Sequence, residues 1–417
     1  MNNKIFLLLL LFYSSVSFAQ KSNGGFAEPR MLGFVLPEGR DKVTIPFEIY
    51  NNLIVIDIIL NNTLPLKFIL DTGIRTTVLT EKTLTDLLNV TYSRKITIPG
   101  AGGIKLVDAF VVNDVTISIG SITGQGHALL VLEHDLLQLK NYLGVNVHGI
   151  LGYELFSRFV MDINYDRKVL HVYNPTTYKK KRRFREMSIT IEDTKPYLEA
   201  SFIIREADTV KGKFMLDTGA SHTMMLDERS SEAIYAPEPN VTSTLGRGLG
   251  GNINGKVARV DKMWVDNYVF KNLITTFPDK ETYEISQDRI KRNGTFGGGM
   301  MSRFHIVFDY VNSKLYVRKG QGFRKPFEFN LSGLIVITTG IYLQGYAIDN
   351  VRIGSAAEEA GLLAGDELVM INNVNVDKLD LNQVIGLLNS KANRKIKLKI
   401  LREKQPMNIQ FKLKRLI

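Results

Sequence analysis

The sequence predicts a mainly β protein with two similar β lobes followed by a smaller α+β domain. Apolar runs of strand length, separated by Asn pairs and Pro, fill residues 43–70, whereas helical periodicity is scarce. A series of motifs in residues 68–173 recurs in residues 214–317 at a nearly constant offset, which indicates an internal duplication. After residue 320 the pattern changes to strands that alternate with short helices.

Composition narrows the classes of protein to be considered. The chain has 417 residues, which suggests two or three domains, and it contains no Cys. A disulfide scaffold, a thiol nucleophile and cysteine-based metal sites are therefore excluded. The 6 His are scattered without a close-spaced ligand pair, so we expect no metal and no cofactor.

The net charge of +11 is mostly spread along the chain. Its one dense basic run, at residues 179–185, lacks the stacking aromatic residues of a nucleic-acid recognition module. We interpret that run as a solvated linker and expect no nucleic-acid partner.

The first 20 residues have the organisation of a secretory signal peptide. Lys4 precedes a short apolar run, and Ser17 and Ala19 place small residues at the positions of a cleavage site. A membrane anchor is the alternative, but the run is far shorter than the roughly 20 apolar residues that span a bilayer. We therefore expect an exported protein, periplasmic or secreted, that begins near Gln20 and keeps no integral membrane segment after cleavage.

The duplication is defined by two pairs of motifs. Phe-Ile-Leu-Asp-Thr-Gly at residues 68–73 recurs as Phe-Met-Leu-Asp-Thr-Gly at residues 214–219. Gly-Ile-Leu-Gly at residues 149–152 recurs as Gly-Thr-Phe-Gly at residues 294–297. Ser-Arg-Phe and a strand–turn–strand pattern come next in both copies. Short helices are predicted at residues 136–143 and before each Ser-Arg-Phe.

Each copy also carries a glycine-rich stretch between its two motifs, at residues 100–103 and 246–251. The second stretch matches Gly-x-Gly-x-x-Gly, but a dinucleotide site requires a helix after the glycines, and the residues after them here are β-like. We predict instead a mobile hairpin over a cleft in each lobe, because glycine permits flexing and close approach to a ligand. The candidate flap residues are Gly100, Gly102, Gly103, Gly248, Gly250 and Gly251.

A single Asp-Thr-Gly is usually a turn at the end of a strand. Two copies at the same place in a duplicated unit predict more, because a pseudo-two-fold pairing would bring Asp71 and Asp217 together. Two carboxylates that close share one proton, so one serves as general base toward water and the other as general acid. The residues expected to support this pair are Thr72, Gly73, Thr218 and Gly219.

Residues 45–320 resemble the aspartic proteases, in particular the retropepsin-like and pepsin-like type with both halves fused in one chain. The resemblance rests on the paired Asp-Thr-Gly motifs and on the apolar-apolar-Gly elements at residues 150–152 and 295–297. It implies two pseudo-symmetric lobes, a catalytic pair formed by Asp71 and Asp217, two flaps and a polypeptide substrate. The implied activity is that of an aspartic endopeptidase that uses an activated water.

The first motif departs from the family pattern. After the glycine the second copy has Ala220 and Ser221, whereas the first has Ile74 and Arg75. An inward Arg75 would lower the pKa of a dyad carboxyl or pair with an acidic substrate, and an outward one would form a surface ion pair. A catalytically degenerate, peptide-binding pseudoprotease is therefore kept as an alternative function, and a structural envelope protein as a third.

Residues 330–417 resemble a PDZ domain of the bacterial protease-associated type. The resemblance rests on Gly-Ser-Ala-Ala at residues 354–357, Ala-Gly-Leu at residues 360–362 and Gly-Asp-Glu-Leu at residues 365–368. It implies that a peptide C-terminus binds as an added strand. The candidate loop for the peptide carboxylate is Ser332, Gly333, Leu334 and Ile335, although a linker turn is an equal interpretation.

These patterns together predict the domain boundaries. Whether the N-terminal extension is a pro-segment or adds a strand between the lobes stays open. The boundaries are residues 1–19 for the signal peptide, 20–44 for the N-terminal extension, 45–178 for the first lobe, 179–186 for the basic linker, 187–320 for the second lobe, 321–329 for a further linker and 330–417 for the PDZ domain.

Overall fold

The computed structural model of the protein describes residues 32–88, 90–100, 102, 106–206, 208–280 and 290–417. The predicted signal peptide, its cleavage site and Gly103 lie outside the described residues. None of the helices found in the described ranges is both long and apolar enough to cross a membrane.

The first lobe is a nine-stranded sheet in the order β1-β9-β6-β10-β5-β4-β8-β7, with β3 beside β4. Strand β8 also pairs with β9, so the sheet folds back on itself. The strands of this part of the chain are β1 (Gly33–Val35), β2 (Lys42–Pro46), β3 (Glu48–Tyr50), β4 (Leu53–Leu60), β5 (Leu64–Leu70), β6 (Thr77–Leu79), β7 (Tyr92–Pro99), β8 (Leu106–Ile119), β9 (Ile122–Leu132), β10 (Gly149–Leu151), β11 (Val160–Asn164) and β12 (Val169–Tyr173). Its helices are α1 (Thr83–Asp86), α2 (Leu139–Leu143) and α3 (Tyr153–Phe156).

Local sequence explains two features of this lobe. The Asn pairs at residues 51–52 and 61–62 all have positive φ, so they form the tight turns on either side of β4. Helix α2 is shorter than the predicted residues 136–143 because Gln138 adopts the left-handed conformation, with φ 51°. That conformation interrupts a right-handed helix, so regular helix begins only at Leu139.

The second lobe repeats this arrangement in an eight-stranded sheet in the order β14-β15-β16-β21-β17-β20-β19-β18. Strand β16 lies parallel to β21 in it, as β5 lies parallel to β10 in the first lobe. The strands are β13 (Arg185–Ser188), β14 (Thr190–Glu192), β15 (Lys195–Ile203), β16 (Val210–Leu216), β17 (Met224–Leu226), β18 (Asn240–Gly248), β19 (Gly251–Val265), β20 (Tyr268–Pro278), β21 (Gly294–Phe296), β22 (Phe304–Asp309) and β23 (Lys314–Lys319). One helix, α4 (Gly298–Met301), precedes β22.

A six-stranded sheet, in the order β13-β23-β22-β11-β12-β2, joins the two lobes. Its central contact is the antiparallel pairing of β11 with β22, one strand from each lobe. Strand β2 pairs with β12 at its edge, and β1 pairs with β9. Residues 33–46 are therefore built into the sheets, and the predicted boundary at residue 45 falls inside β2.

The C-terminal domain is a six-stranded sheet with strands in the order β24-β25-β26-β28-β29 and β27 beside β26, so β24 is an edge strand. Asp380 and Gln383 form a capping box at the start of helix α6. The mainly β fold class with an α+β C-terminal domain is thus confirmed. The strands are β24 (Leu334–Thr339), β25 (Gly345–Val351), β26 (Glu367–Ile371), β27 (Val374–Asn375), β28 (Lys395–Arg402) and β29 (Gln405–Lys412); the helices are α5 (Ala356–Glu359), α6 (Leu381–Leu388) and a 3-10 turn (Val376–Lys378).

Candidate active site

Equivalent strand ends bring the two Asp-Thr-Gly motifs together. Strands β5 and β16 end in fully buried apolar residues, and the chain continues directly into Asp71 and Asp217. The backbone N–H of Asp71 donates to Leu151 O over 2.8 Å, and that of Asp217 donates to Phe296 O over 2.9 Å. The parallel neighbour of each strand therefore fixes the position at which its carboxyl leaves the sheet.

The two threonines fasten the motifs to each other across the lobe boundary. Thr72 Oγ1 donates to Leu216 O over 2.7 Å, and Thr218 Oγ1 donates to Leu70 O over 2.7 Å. Each hydroxyl also accepts the backbone N–H of the other threonine over 3.0 Å. Both side chains are fully buried, so this exchange satisfies four polar groups that water does not reach.

The glycines orient the carboxyls and allow them to approach. Gly73 N–H donates to Asp71 Oδ1 over 2.6 Å, and Gly219 N–H donates to Asp217 Oδ1 over 2.9 Å. A Cβ on Gly219 would lie 2.2 Å from Asp71 Cγ, and one on Gly73 would lie 3.1 Å from Asp217 Oδ1. Each glycine thus lies against the carboxyl of the other lobe.

The two carboxyls interact directly. Burial and the charge of Asp217 hold the pKa of Asp71 well above its usual range, and a hydrogen bond between the two side chains raises it further. Hydrogen bonds from the backbone N–H groups of Gly73 and Gly219 oppose this rise. A pair in which one member keeps its proton while the other is ionised can supply an acid and a base at the same time.

Two hairpins, one from each lobe, meet at their glycine-rich tips. Strands β7 and β8 form the first flap, and β18 and β19 form the second, in which Gly248 pairs with Gly251. A Cβ on Gly100 would lie 2.3 Å from Gly250 N, and one on Gly102 would lie 2.1 Å from Gly251 O. The described flap candidates therefore come together backbone against backbone. In the second flap a strand lies on each side of the glycines, whereas a dinucleotide site requires a helix after them.

Comparison with known families accounts for this architecture. A family model described as aspartyl protease matches residues 56–155 and 203–297, one region in each lobe and each with its Asp-Thr-Gly. A PDZ domain model matches residues 348–402. The chain carries an aspartyl protease fold followed by a PDZ domain. The resemblance predicted from the paired motifs is thereby confirmed.

No curated protein matches the sequence significantly. Among solved structures, the aspartic proteinase from Irpex lacteus is similar over 68% of this chain and 99% of that chain, with 10% sequence identity and a TM-score of 0.40.

Arg75, which departs from the family pattern, points away from the dyad of the protease lobes. Its guanidinium pairs with Asp193, and both side chains are more than half exposed. Ser221, which stands at the corresponding place in the second lobe, accepts a hydrogen bond at its backbone carbonyl from Asn52 Nδ2 over 3.0 Å. Asn52 and Asp193 both lie in a β-hairpin turn of the opposite lobe. Arg75 is therefore part of a contact between the lobes.

Three side chains at the dyad or in the second flap were not singled out from the sequence. Arg247, in β18, donates through Nε to Leu136 O over 2.8 Å and so ties the second flap to the first lobe. Tyr310 is buried, and burial and the charges of Asp71 and Asp217 hold its pKa well above the usual range. Burial lowers the pKa of His222 against the opposing charge of Asp217. Only Tyr310 had a sequence signal, because it recurs as Tyr165 in the first copy.

The predicted carboxylate loop of the PDZ domain spans the start of β24, because its last two residues lie within that strand. Ser332 is fully buried, and Gly333 has φ +85°. Gly333 N–H donates to Asn330 Oδ1 over 2.9 Å, and Leu334 N–H donates to Ser332 Oγ over 3.2 Å. Ile335 comes next, within β24. A peptide carboxylate at this loop would have to take these N–H groups from their present side-chain acceptors.

Proposed function

We propose that the protein is an aspartic endopeptidase that hydrolyses peptide bonds with Asp71 and Asp217. The observation that carries the proposal is the arrangement of the two carboxyls, which come from equivalent strand ends and interact directly. The ionised carboxyl removes a proton from water, which attacks the scissile carbonyl carbon, while the protonated carboxyl donates to the carbonyl oxygen. The carboxyl that took the proton from water then passes it to the nitrogen, the other carboxylate takes a proton from a hydroxyl of the tetrahedral intermediate, and the C–N bond breaks.

The proposed substrate is an extended polypeptide. A cleft covered by two hairpins offers strand edges to a peptide backbone, and strand addition is a general way to bind an extended chain. The PDZ domain is proposed to bind a peptide C-terminus or a substrate segment. We further propose export through the predicted signal peptide, which gives a mature chain that begins near Gln20.

Cleavage of a mixed peptide library from acid to neutral pH tests this proposal. Asp71→Asn and Asp217→Asn should each lower the cleavage rate by at least about 10³-fold, because neither amide can exchange a proton with the other carboxyl. Asp57→Asn, a matched change of an exposed aspartate that pairs with Lys67 at 2.9 Å, should cleave like the original chain. Activity retained in both dyad variants would exclude the dyad mechanism.

The alternative function is a degenerate, peptide-binding pseudoprotease, and the reason for considering it is Arg75. Because Arg75 pairs with Asp193, its guanidinium does not neutralise the dyad, and that reason no longer applies. A folded chain that binds library peptides but cleaves none at any pH would favour the alternative.

A further inference from the structure

The PDZ domain is docked on the first lobe through its edge strand. Asn141, in α2, donates through Nδ2 to Thr338 O of β24 over 2.8 Å. Thr338 Oγ1 donates back to Asn141 O over 3.1 Å, and Thr338 is almost completely buried. A segment of the protease thus binds the free edge of the PDZ sheet.

The same segment fills the space between β24 and α6. Gly144 ends α2 with φ 69°, and a Cβ there would lie 2.7 Å from Leu381 Cβ and 3.4 Å from Thr338 Cγ2. Leu381 is the first residue of α6, so the chain passes between this helix and the edge strand without room for a side chain. Tyr142 OH adds a hydrogen bond to Asp349 Oδ2, in β25, over 3.0 Å.

The other end of the segment holds the second flap. The bond from Arg247 Nε to Leu136 O attaches β18 to the residues just before α2, and the Tyr142 side chain also interacts with the Arg247 side chain. Leu249, at the flap tip, packs with Leu136 in one apolar cluster. Residues 136–144 therefore contact the PDZ edge strand and the second flap at the same time.

We propose that residues 136–144 act as a latch that couples the PDZ edge strand to the second flap. While the latch is docked on β24, it holds Arg247 and Leu249 and keeps the flap tips together. A strand that pairs with β24 as far as Thr338 needs the carbonyl that Asn141 occupies, so it competes with the latch and releases the flap. This proposal rests on the proposed function, because release of the flap would affect activity only if the flap covers a site of peptide cleavage.

Hydrogen–deuterium exchange of the full chain tests the coupling without any turnover. Asn141→Ala removes the bond to Thr338 and should speed exchange in residues 246–251 by about threefold or more, as expected for loss of one hydrogen bond. In return, Arg247→Gln should speed exchange within α2, because coupling between two sites is reciprocal. The PDZ domain also contacts strand β18 of the second flap directly, because Arg352 Nε donates to Ser243 Oγ over 3.4 Å. Neither substitution removes this second contact.

The matched control is Asn382→Ala. Asn382 Nδ2 also joins the PDZ domain to the first lobe, but its hydrogen bond is to Ile49 O, over 3.2 Å, outside residues 136–144. We expect flap exchange in this variant to equal that of the original chain. Unchanged flap exchange in Asn141→Ala, or an equal rise in both variants, would overturn the latch. Loss of cleavage activity would not affect this result, so the two proposals fail separately.

Discussion

The two glycines beside the dyad leave different amounts of room, although they occupy equivalent positions. A Cβ on Gly219 would lie 2.2 Å from Asp71 Cγ and Oδ2, a separation that no real contact allows. A Cβ on Gly73 would lie 3.0 Å from its nearest neighbour, Asp71 Oδ1. At the residue scale the pseudo-symmetry is therefore broken, and the Asp71 carboxyl lies closer to the opposing backbone.

We expect Gly219→Ala to lower kcat/KM by about 10²-fold or more, because the new methyl group must push the Asp71 carboxyl out of place. Gly73→Ala should cause a smaller loss, since its neighbours need to move by only a few tenths of an ångström. Steady-state cleavage of one peptide by both variants measures the difference, with circular dichroism to establish that each is folded. Equal losses would show that the asymmetry has no consequence for the reaction.

At the scale of elements, the pairing of β11 with β22 contains a buried polar cluster. Asp162 is fully buried, hydrogen-bonds to His305 Nε2 and accepts from Lys181 Nζ over 3.3 Å. Arg318 donates to His305 Nδ1 over 3.1 Å, so the Nε2–H is directed to Asp162. Burial acts to raise the pKa of Asp162, but the hydrogen bond from His305 and the charge of Lys181 outweigh it and lower that pKa.

Asp162→Asn should therefore reduce the free energy of unfolding by about 1–3 kcal/mol at neutral pH. Because the folded-state pKa is lowered, this contribution is present above the unfolded value near 3.9 and is lost as pH falls through the folded value. Denaturant unfolding between pH 3 and 7 should show the two chains converging at the acid end. Asp57→Asn is the control, since that carboxylate pairs with Lys67 at 2.9 Å while 78% exposed and should change stability by less than about 1 kcal/mol. A difference that stays constant with pH would contradict this account.

The elements of this fold differ in how well the sequence predicts them. The lobes, the dyad and the flap glycines follow from contiguous motifs that occur twice. The partners of Arg75, Arg247 and Asn141 lie far away in the chain, and nothing in the local pattern identifies them. The predicted start of α2 is too early because the left-handed Gln138 has no composition signal.

In the whole molecule, the two protease lobes share one large apolar core, and the PDZ domain has a core of its own. One cluster contains residues of both protease lobes, as in the edge-to-face contact of Phe156 with Phe308 at 5.5 Å. A second cluster consists of residues 331–413 alone. The PDZ domain is joined to the first lobe by hydrogen bonds and does not share its large apolar core. We therefore expect the two lobes to unfold together and the PDZ domain to unfold separately.

Calorimetry of the full chain should accordingly give two transitions. Leu398→Ala, a change in the PDZ core at a residue 1% exposed, should destabilise only one of them, by about 2–5 kcal/mol. Leu170→Ala, the matched change of a fully buried leucine in the protease core, should lower only the other. If both variants shift a single transition, then the polar contacts through α2 are strong enough to make the chain one cooperative unit.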